Sequence, residues 1–289
     1  TQADLVLLLG ASVDYRVRYL DAPPLKPGVK IVRVTIDSGQ MYQGVTPDVS
    51  ILGDTLTVLD AWRDMWQAGE LAPHTGWLDE ARAIQRSFYR RWTSAEEVVP
   101  AMAWQERRMN GGALVSAVEA AIEDLDPEPV LLIDGGNIGQ WAHMQLGYRR
   151  YPQSWLTCGA SGVVGWGVAG AMAARLAYPE RPVVLLSGDG SLGFGLIEFE
   201  SAARQGLPFV AVVADDSAWG IVATGQERSC GRRLSSELGP ADYAGAAASL
   251  GARGVHASSP QAVQIAIAEA LADRKPTLIQ VPITVGGPA

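Results

Sequence analysis

Cysteine is scarce in this chain: among 289 residues only Cys158 and Cys230 occur. Two cysteines are too few for a disulfide framework and fit a reducing cytoplasm. Histidine is almost as rare, at His74, His143 and His256, positions too scattered for a His-built metal centre or a Ser–His triad. His256 reads as the close of a strand. No run of Lys or Arg stands out, and 23 basic against 31 acidic residues leave a formal charge of −8. That balance argues against nucleic acid or an anionic membrane as the main partner. The most apolar window, residues 162–174, is glycine-rich and ends at Arg175, short of the ~18–20 apolar residues that a membrane helix needs. No signal-peptide pattern is visible. Gly188-Asp-Gly-Ser lacks the downstream Gly-Lys-Ser/Thr of a P-loop, and no Gly-x-Ser-x-Gly elbow occurs. Gly162, Gly165 and Gly167 stand in the wrong order for the dinucleotide fingerprint.

What is present is an ordinary globular composition, 48% hydrophobic and 19% charged, arranged as alternating strands and helices. Leu5 to Leu9 is a continuous apolar run closed by Gly10, which predicts a strand buried on both faces. Strands at residues 30–36 and 48–52 follow, then a helix at 55–67 whose Leu56, Leu59, Trp62 and Trp66 share a face. Residues 69–110 read as a helical, polar, arginine-bearing connector. A second domain begins at Gly111 with a helix at 113–125 and a strand at 130–133 that ends in Asp134-Gly-Gly-Asn137. Gly139-Gln140-Trp141 open a helix, and a glycine-dense turn feeds another that reaches Ala177. The tail alternates helix (241–250), strand (252–256), helix (260–272) and strand (277–281). Such alternation predicts an α/β fold with a mostly parallel, doubly wound sheet, preceded by a partial α/β domain.

The most informative stretch runs from Pro182 to Ile221. A buried strand ends in Gly188-Asp189-Gly190-Ser191, a crossover helix follows, and a second buried strand ends in Asp215-Asp216. Asp189 and Asp216 are 27 residues apart (216 − 189), so a parallel βαβ unit places both at the carboxyl ends of adjacent strands. Open α/β sheets bind ligands at that edge. Two hard oxygen ligands beside glycine-freed amides suit a hydrated Mg²⁺ and the phosphates it carries. Ser191, at the start of the crossover helix, can donate to an anion. Glu198 and Glu200 in that helix are expected to pair structurally.

These residues carry a family resemblance. The Gly188-Asp-Gly-Ser motif with Asp216 downstream resembles the thiamin diphosphate fingerprint, whose usual form ends in paired asparagines. Gly159-Ala-Ser-Gly162-Val-Val164-Gly165-Trp-Gly167 is similar to the "GLGTMGxG" segment of acetolactate synthases and their relatives, among them 2-hydroxyacyl-CoA lyases. Asp4 to Val17, Lys30 to Asp37 and Asp48 to Asp54 resemble the second half of the family's central domain. The resemblance therefore implies a Rossmann-like half-domain at 1–68, the connector at 69–110, and the diphosphate-binding domain at 111–289. It further implies that Asp189, Asp216 and the Ala218 carbonyl hold Mg²⁺. Gly139, Gln140, Gly190, Ser191 and Gly220 would contact the diphosphate. Gly162 would offer its carbonyl to the aminopyrimidine, and Val164 would prop the cofactor in its V shape. Arg16 matches an arginine that faces substrate in the synthases, although an arginine at a helix start on an interface fits equally.

Two departures from the family pattern stand out. Asp215-Asp216 replaces the paired asparagines, which predicts retained metal binding with an affinity more sensitive to low pH. The prop is a short Val164, and Gly225 stands where the synthases tend to carry a tryptophan by the substrate entrance. The family's catalytic glutamate comes from an N-terminal pyrimidine-binding domain, and no glutamate here matches it. The resemblance thus implies a second polypeptide and an assembly of two or more such pairs, acting on a 2-oxo acid or 2-hydroxyacyl small molecule. FAD or a CoA-type nucleotide in the central domain stays open. So do two other readings, a non-catalytic homologue serving assembly and a nicotinamide- or ATP-binding α/β protein.

Overall fold

The computed structural model describes residues 3–20, 25–70, 75–93, 108–146 and 154–287. Two compact units result, Thr1–Arg82 and Ala83–Ala289.

The first unit holds a three-stranded parallel sheet of β1 (Leu5–Leu9), β2 (Lys30–Thr35) and β3 (Val49–Leu52), in that order. Helix α1 (Thr55–Gln67) starts where the Asp54 carboxylate accepts the Thr57 amide, a side-chain cap for an otherwise unbonded donor. Leu8, Val13 and Ile31 form its small core. The expectation that β1 is buried on both faces is not met: Leu5 and Leu7 are 49% and 47% exposed. The shared apolar face of α1 is likewise open at Leu56, Leu59 and Trp66. A three-stranded layer with one following helix covers only part of its apolar surface. Helix α2 (Thr75–Thr93) follows and contains the division between the units.

The second unit is a six-stranded, wholly parallel sheet. It comprises β4 (Val130–Asp134), β5 (Trp155–Leu156), β6 (Val183–Gly188), β7 (Val210–Asp215), β8 (Arg253–His256) and β9 (Thr277–Pro282). The order across the sheet is β5-β4-β6-β7-β9-β8. Its central strands are continuous apolar runs because both faces are covered. Alternate residues serve opposite cores. Leu131, Ile133, Val184 and Leu186 pack with α3 (Gly111–Ile122), α4 (Asn137–Gln145) and α10 (Pro260–Asp273). Val130, Leu132, Val183 and Leu185 pack with α5 (Gly167–Ala177), α7 (Glu198–Gln205) and α9 (Tyr243–Ser249). Helix α3 begins two residues earlier than expected because the Asn110 side chain accepts the Ala113 amide at 2.7 Å.

Two connections differ from the sequence-based expectation. The single crossover helix after Asp189 is split into α6 (Asp189–Leu192) and α7, with Glu200 of α7 paired to Arg204 at 2.8 Å. Helix α8 (Gly220–Cys230) was not foreseen, since its apolar residues follow no helical period and glycine stands at its first and sixth positions.

The order of strands also sets where a ligand can sit. From β4 the chain goes to β5 on one side and then to β6 on the other. A crevice opens at such a switch, outside the carboxyl ends of β4 and β6. At the far side of the sheet, β8 packs closely on α9: a Cβ on Gly254 would overlap the Ala244 backbone. Gly254→Ala is therefore expected to cost about 1–3 kcal/mol through overpacking and to lower the thermal midpoint by several degrees in calorimetry.

Candidate functional site

The chain after each central strand turns into the switch-point crevice. After β4, Gly135 takes φ +137 and a Cβ there would meet the Gly188 amide nitrogen and Ser191 Oγ, so only glycine lets the two loops approach. Asn137 then starts α4. After β6, Gly188 leads into Asp189 at the first position of α6. After β7, Asp215 and Asp216 lead through Ser217 (φ +55) to Ala218 and Trp219. These segments enclose a cavity of about 200 Å³, whose lining includes Asn137, Val164, Asp189, Ser191, Asp216 and Ala218. A separate cavity of similar volume lies among residues such as Val183, Val210 and Arg274. It sits at the starting ends of β6 and β7 and is lined by neither Asp189 nor Asp216.

Two carboxylates dominate the crevice. Asp189 is buried, its Oδ1 accepts the Gly190 amide at 2.9 Å, and its Oδ2 has no hydrogen-bond partner. Burial, then the Asp216 and Asp215 carboxylates, push its pKa up to about 8. Asp216 is buried as well, and its Oδ1 accepts the Ala218 amide at 3.1 Å. Burial pushes its pKa up to about 6, against the favourable Ala218 bond. Arg108 donates to the Ile283 carbonyl at 2.8 Å, and its charge favours the ionised Asp216. One cation does not balance the acids. An unpartnered buried oxygen beside a second buried carboxylate fits a missing positive charge.

The donor set suits a hard divalent ion carried by phosphates. Among the described residues no group of three or more His, Cys, Asp or Glu side chains is arranged to hold a metal. An ion here would draw on two carboxylates, a backbone carbonyl and oxygens from a ligand. The Ala218 carbonyl is available for this. The flanking bonds, Trp219 N–H to the Ser236 carbonyl and Leu238 N–H to the Ser217 carbonyl, leave it without a backbone donor among the described residues. Glycine permits close packing in the cavity wall at two further points. A Cβ on Gly190 would enter the Trp219 ring, and one on Gly220 would enter the Asp216 carboxylate and the Asn137 amide.

The sequence-derived residues are only partly brought together. Asp189, Gly190, Ser191, Asp216, Ala218, Gly220 and Val164 all line the cavity. Gly139 and Gln140 lie in the first turn of α4 without lining it; Gly136, Asn137 and Ile138, just before them, do. Gly162 is exposed with φ +63 at the end of the 3-10 turn Gly159–Ser161. Gly225 lies within α8. Arg16 lies in the segment Tyr15–Leu20 of the first unit, its side chain outside the described residues. His256 does close β8, where it bonds Asp242.

Two contributors escaped the sequence reading. Asn137 is buried with its Nδ2 beside Asp216, where its amide favours the ionised carboxylate. Asp134 ends β4 and accepts the Gly165 amide at 3.0 Å and the Gly167 amide at 2.8 Å. It thereby caps α5 from another strand and fixes the turn that carries Val164, while burial holds its pKa above the ordinary carboxylate range. The signal for Asp134 was its place, an acid closing an apolar strand just as Asp215 does.

Comparison with known proteins decides what this arrangement belongs to. Residues 134–281, half of the chain, match the family model for the C-terminal TPP binding domain of thiamine pyrophosphate enzymes. The chain belongs to this family. Its relatives include 2-hydroxyacyl-CoA lyase 2 of Homo sapiens, 30% identical over 259 residues, covering 88% of this chain and 39% of the relative. The acetolactate synthase large subunit of Parasynechococcus marenigrum is 28% identical over 291 residues, covering 99% of this chain and 44% of the relative. In fold the chain is similar to a thiamine diphosphate-dependent 4-hydroxybenzoylformate decarboxylase of Rhodococcus jostii, with a TM-score of 0.71 at 24% identity over 98% of this chain and 49% of that one. The chain thus spans about two fifths to one half of the length of these proteins. No described helix is long and apolar enough to cross a membrane.

Two predictions follow from the geometry of this thiamine pyrophosphate enzyme domain. A carboxyl whose folded pKa of about 8 exceeds its ordinary 3.8 gives stability that is full below about pH 4 and lost as pH rises through 8. Asp189→Asn removes that loss, so the ligand-free variant is expected to melt several degrees above wild type at pH 8 and close to it at pH 4. Asp134→Ala removes the acceptor of two buried amides at a cost of about 1–3 kcal/mol. Hydrogen exchange at Gly165 and Gly167 is expected to accelerate in that variant while exchange in β7 stays slow.

Proposed function

We propose that this chain binds thiamine diphosphate through Mg²⁺ and forms the diphosphate-binding side of an enzyme that makes or breaks a C–C bond next to a carbonyl. The observation that carries the reading is the buried, unpartnered Asp189 Oδ2 facing the same cavity as Asp216 at the switch point of the sheet. Asp189, Asp216 and the Ala218 carbonyl hold the ion. Gly190, Ser191 and Gly220, with Gly139 and Gln140 from the first turn of α4, meet the diphosphate. The Gly162 carbonyl orients the aminopyrimidine, and Val164 supports the bend between the rings. Bound there, thiamine diphosphate supplies a carbon nucleophile and an electron sink. The protein's part is to fix its position, neutralise its phosphates and keep water from the reacting side.

The substrate is a 2-oxo acid or a 2-hydroxyacyl compound. Acetolactate synthase-like condensation and 2-hydroxyacyl-CoA lyase-like cleavage are both supported, since relatives bearing each name align over 88% or more of the chain. The small Val164 and Gly225 leave room that favours a longer acyl group. Among the described residues no glutamate lines the cavity, and in the proposed reading the proton-handling glutamate of such an enzyme sits on a pyrimidine-binding domain, supplied by a second polypeptide. The carboxyl edge suits that partner: Val163, Phe194, Ile197, Ile221 and Val222 are 45–66% exposed there, more apolar surface than an edge facing only water would carry.

Calorimetry tests the reading. Thiamine diphosphate is expected to bind the chain, alone or with a pyrimidine-domain polypeptide, only when Mg²⁺ is present. Absence of Mg²⁺-dependent binding in every combination would sink it. Because Asp216 titrates near 6, protons compete with the ion as the pH drops through 6. Asp216→Asn is expected to flatten that part of the affinity profile. Turnover of 2-oxo acids against 2-hydroxyacyl-CoA thioesters then separates the two activities.

A further inference from the structure

Strand β9 presents six buried residues, and among them Gln280 is fully buried. An amide in such a place is costly unless each of its polar atoms is bonded. Here each is. Its Nε2 donates to Asp215 Oδ2 at 2.8 Å and to the Ala241 carbonyl at 2.8 Å, and its Oε1 accepts the Ala244 amide at 3.1 Å. Gln280 lies in the strand next to β7, in register with Val213.

The far end of this bond chain is the turn that carries Asp216. Asp215 Oδ1 accepts both the Ser217 amide and the Ser217 hydroxyl at 3.0 Å. Ser217 sits at φ +55, a left-handed conformation that a serine adopts only when its surroundings hold it there. With Oδ2 taken by Gln280 and Oδ1 by Ser217, Asp215 is committed to the turn, and it does not line the cavity. The two neighbouring acids therefore do different jobs. Asp216 and the Ala218 carbonyl face the ligand, while Asp215 holds the backbone that aims them.

We propose that Gln280 is a positioning residue for the metal-binding turn. Through its amide it locks Asp215, and through Asp215 it sets where Asp216 and the Ala218 carbonyl stand. The lock needs a donor toward Asp215 and an acceptor toward Ala244 in one planar group, which an amide provides. A carboxylate at 280 would set two acids face to face and turn an oxygen on the Ala241 carbonyl. A thioether of similar length would leave a buried carboxylate oxygen unbonded. Exchanging the partners, with an amide at 215 and an acid at 280, restores the bond between the two side chains and keeps the acceptors for Ser217 and Ala244. The Ala241 carbonyl loses its donor as it does in Gln280→Glu, so those two variants differ only in the bond to residue 215.

This inference rests on the proposed Mg²⁺–thiamine diphosphate reading, and the test separates the two. Wild type, Gln280→Glu, Gln280→Met and the double variant Asp215→Asn/Gln280→Glu are titrated with Mg²⁺ at fixed thiamine diphosphate, well below their melting temperatures, in whichever assembly binds for wild type. Each single variant is expected to need about ten-fold more Mg²⁺ for half-maximal binding, equivalent to about 1.4 kcal/mol. At saturating Mg²⁺ the diphosphate affinity is expected to return to wild type, because Ser191 and Gly190 are untouched. The double variant is expected to regain most of the Mg²⁺ affinity. Ile267→Val, a core truncation in α10, is the control that lowers the melting temperature without changing the Mg²⁺ requirement. Should the single variants not fold, the double variant decides alone: wild-type Mg²⁺ affinity supports the lock, and a folded double variant that has lost it overturns the lock. Single variants with a wild-type Mg²⁺ requirement also overturn it while leaving the cofactor reading intact. A wild type without Mg²⁺-dependent binding overturns both.

Discussion

Four carboxylates stand at the carboxyl ends of three adjacent parallel strands, all of them buried: Asp134 after β4, Asp189 after β6, and Asp215 and Asp216 after β7. Negative charge so far from water is costly unless something answers it, and how each is answered organises the domain. Asp134 is answered by the Gly165 and Gly167 amides, Asp215 by Ser217 and Gln280. Asp189 and Asp216 are answered only in part: Asp189 by the Gly190 amide, and Asp216 by the Ala218 amide with Asn137 and the Arg108 charge nearby, neither enough to offset burial. The satisfied pair builds the loops, and the unsatisfied pair faces the cavity between them. Structure and function are thus divided among identical functional groups by hydrogen-bond supply alone.

The glycines belong to the same design. Gly135 admits the approach of the Gly188 backbone, Gly220 leaves room for the Asp216 carboxylate, and Gly167 lies so close to Asp134 that a Cβ would overlap it. Each marks a place where backbone or carboxylate must come nearer than a side chain permits. The loops they allow are short and held at both ends, which suits the fixed diphosphate cradle proposed for them.

Much of this could be read from residues alone, and for definable reasons. The central strands of the second unit are apolar runs, ended by Gly188 before Asp189 in β6 and by Asp215 in β7, so these strands and the acids that close them were plain. The βαβ spacing put Asp189 and Asp216 at neighbouring strand ends, where the structure has them. What escaped depended on contacts between distant segments. Nothing local marks Gln280 as the partner of Asp215, since they lie 65 positions apart. Asp134 bonds amides 31 and 33 residues onward. Helix α8 was invisible because an apolar edge at Ile221 and Val222, exposed in this chain, breaks the usual period. In the first unit the apolar run of β1 promised two buried faces. Run length reports what a strand can bury, while the layers around it decide what it does bury.

The doublet Asp215-Asp216 shows why a motif letter and a motif role have to be kept apart. In the proposed site a carboxylate at either position adds charge beside a diphosphate, an apparent penalty for holding an anion. At 215 the carboxylate is bonded to Ser217 and Gln280 and does not itself line the cavity. At 216 it is set against Arg108, whose guanidinium is held over the strand ends by the Ile283 carbonyl. The Asp215 charge still acts on Asp189, whose pKa it helps to raise, while a carboxylate is in general a stronger ligand for a hard cation than an amide oxygen. In the proposed reading an acid at 216 strengthens the hold on an ion, at a cost that grows as the pH falls and Asp189 and then Asp216 take up protons.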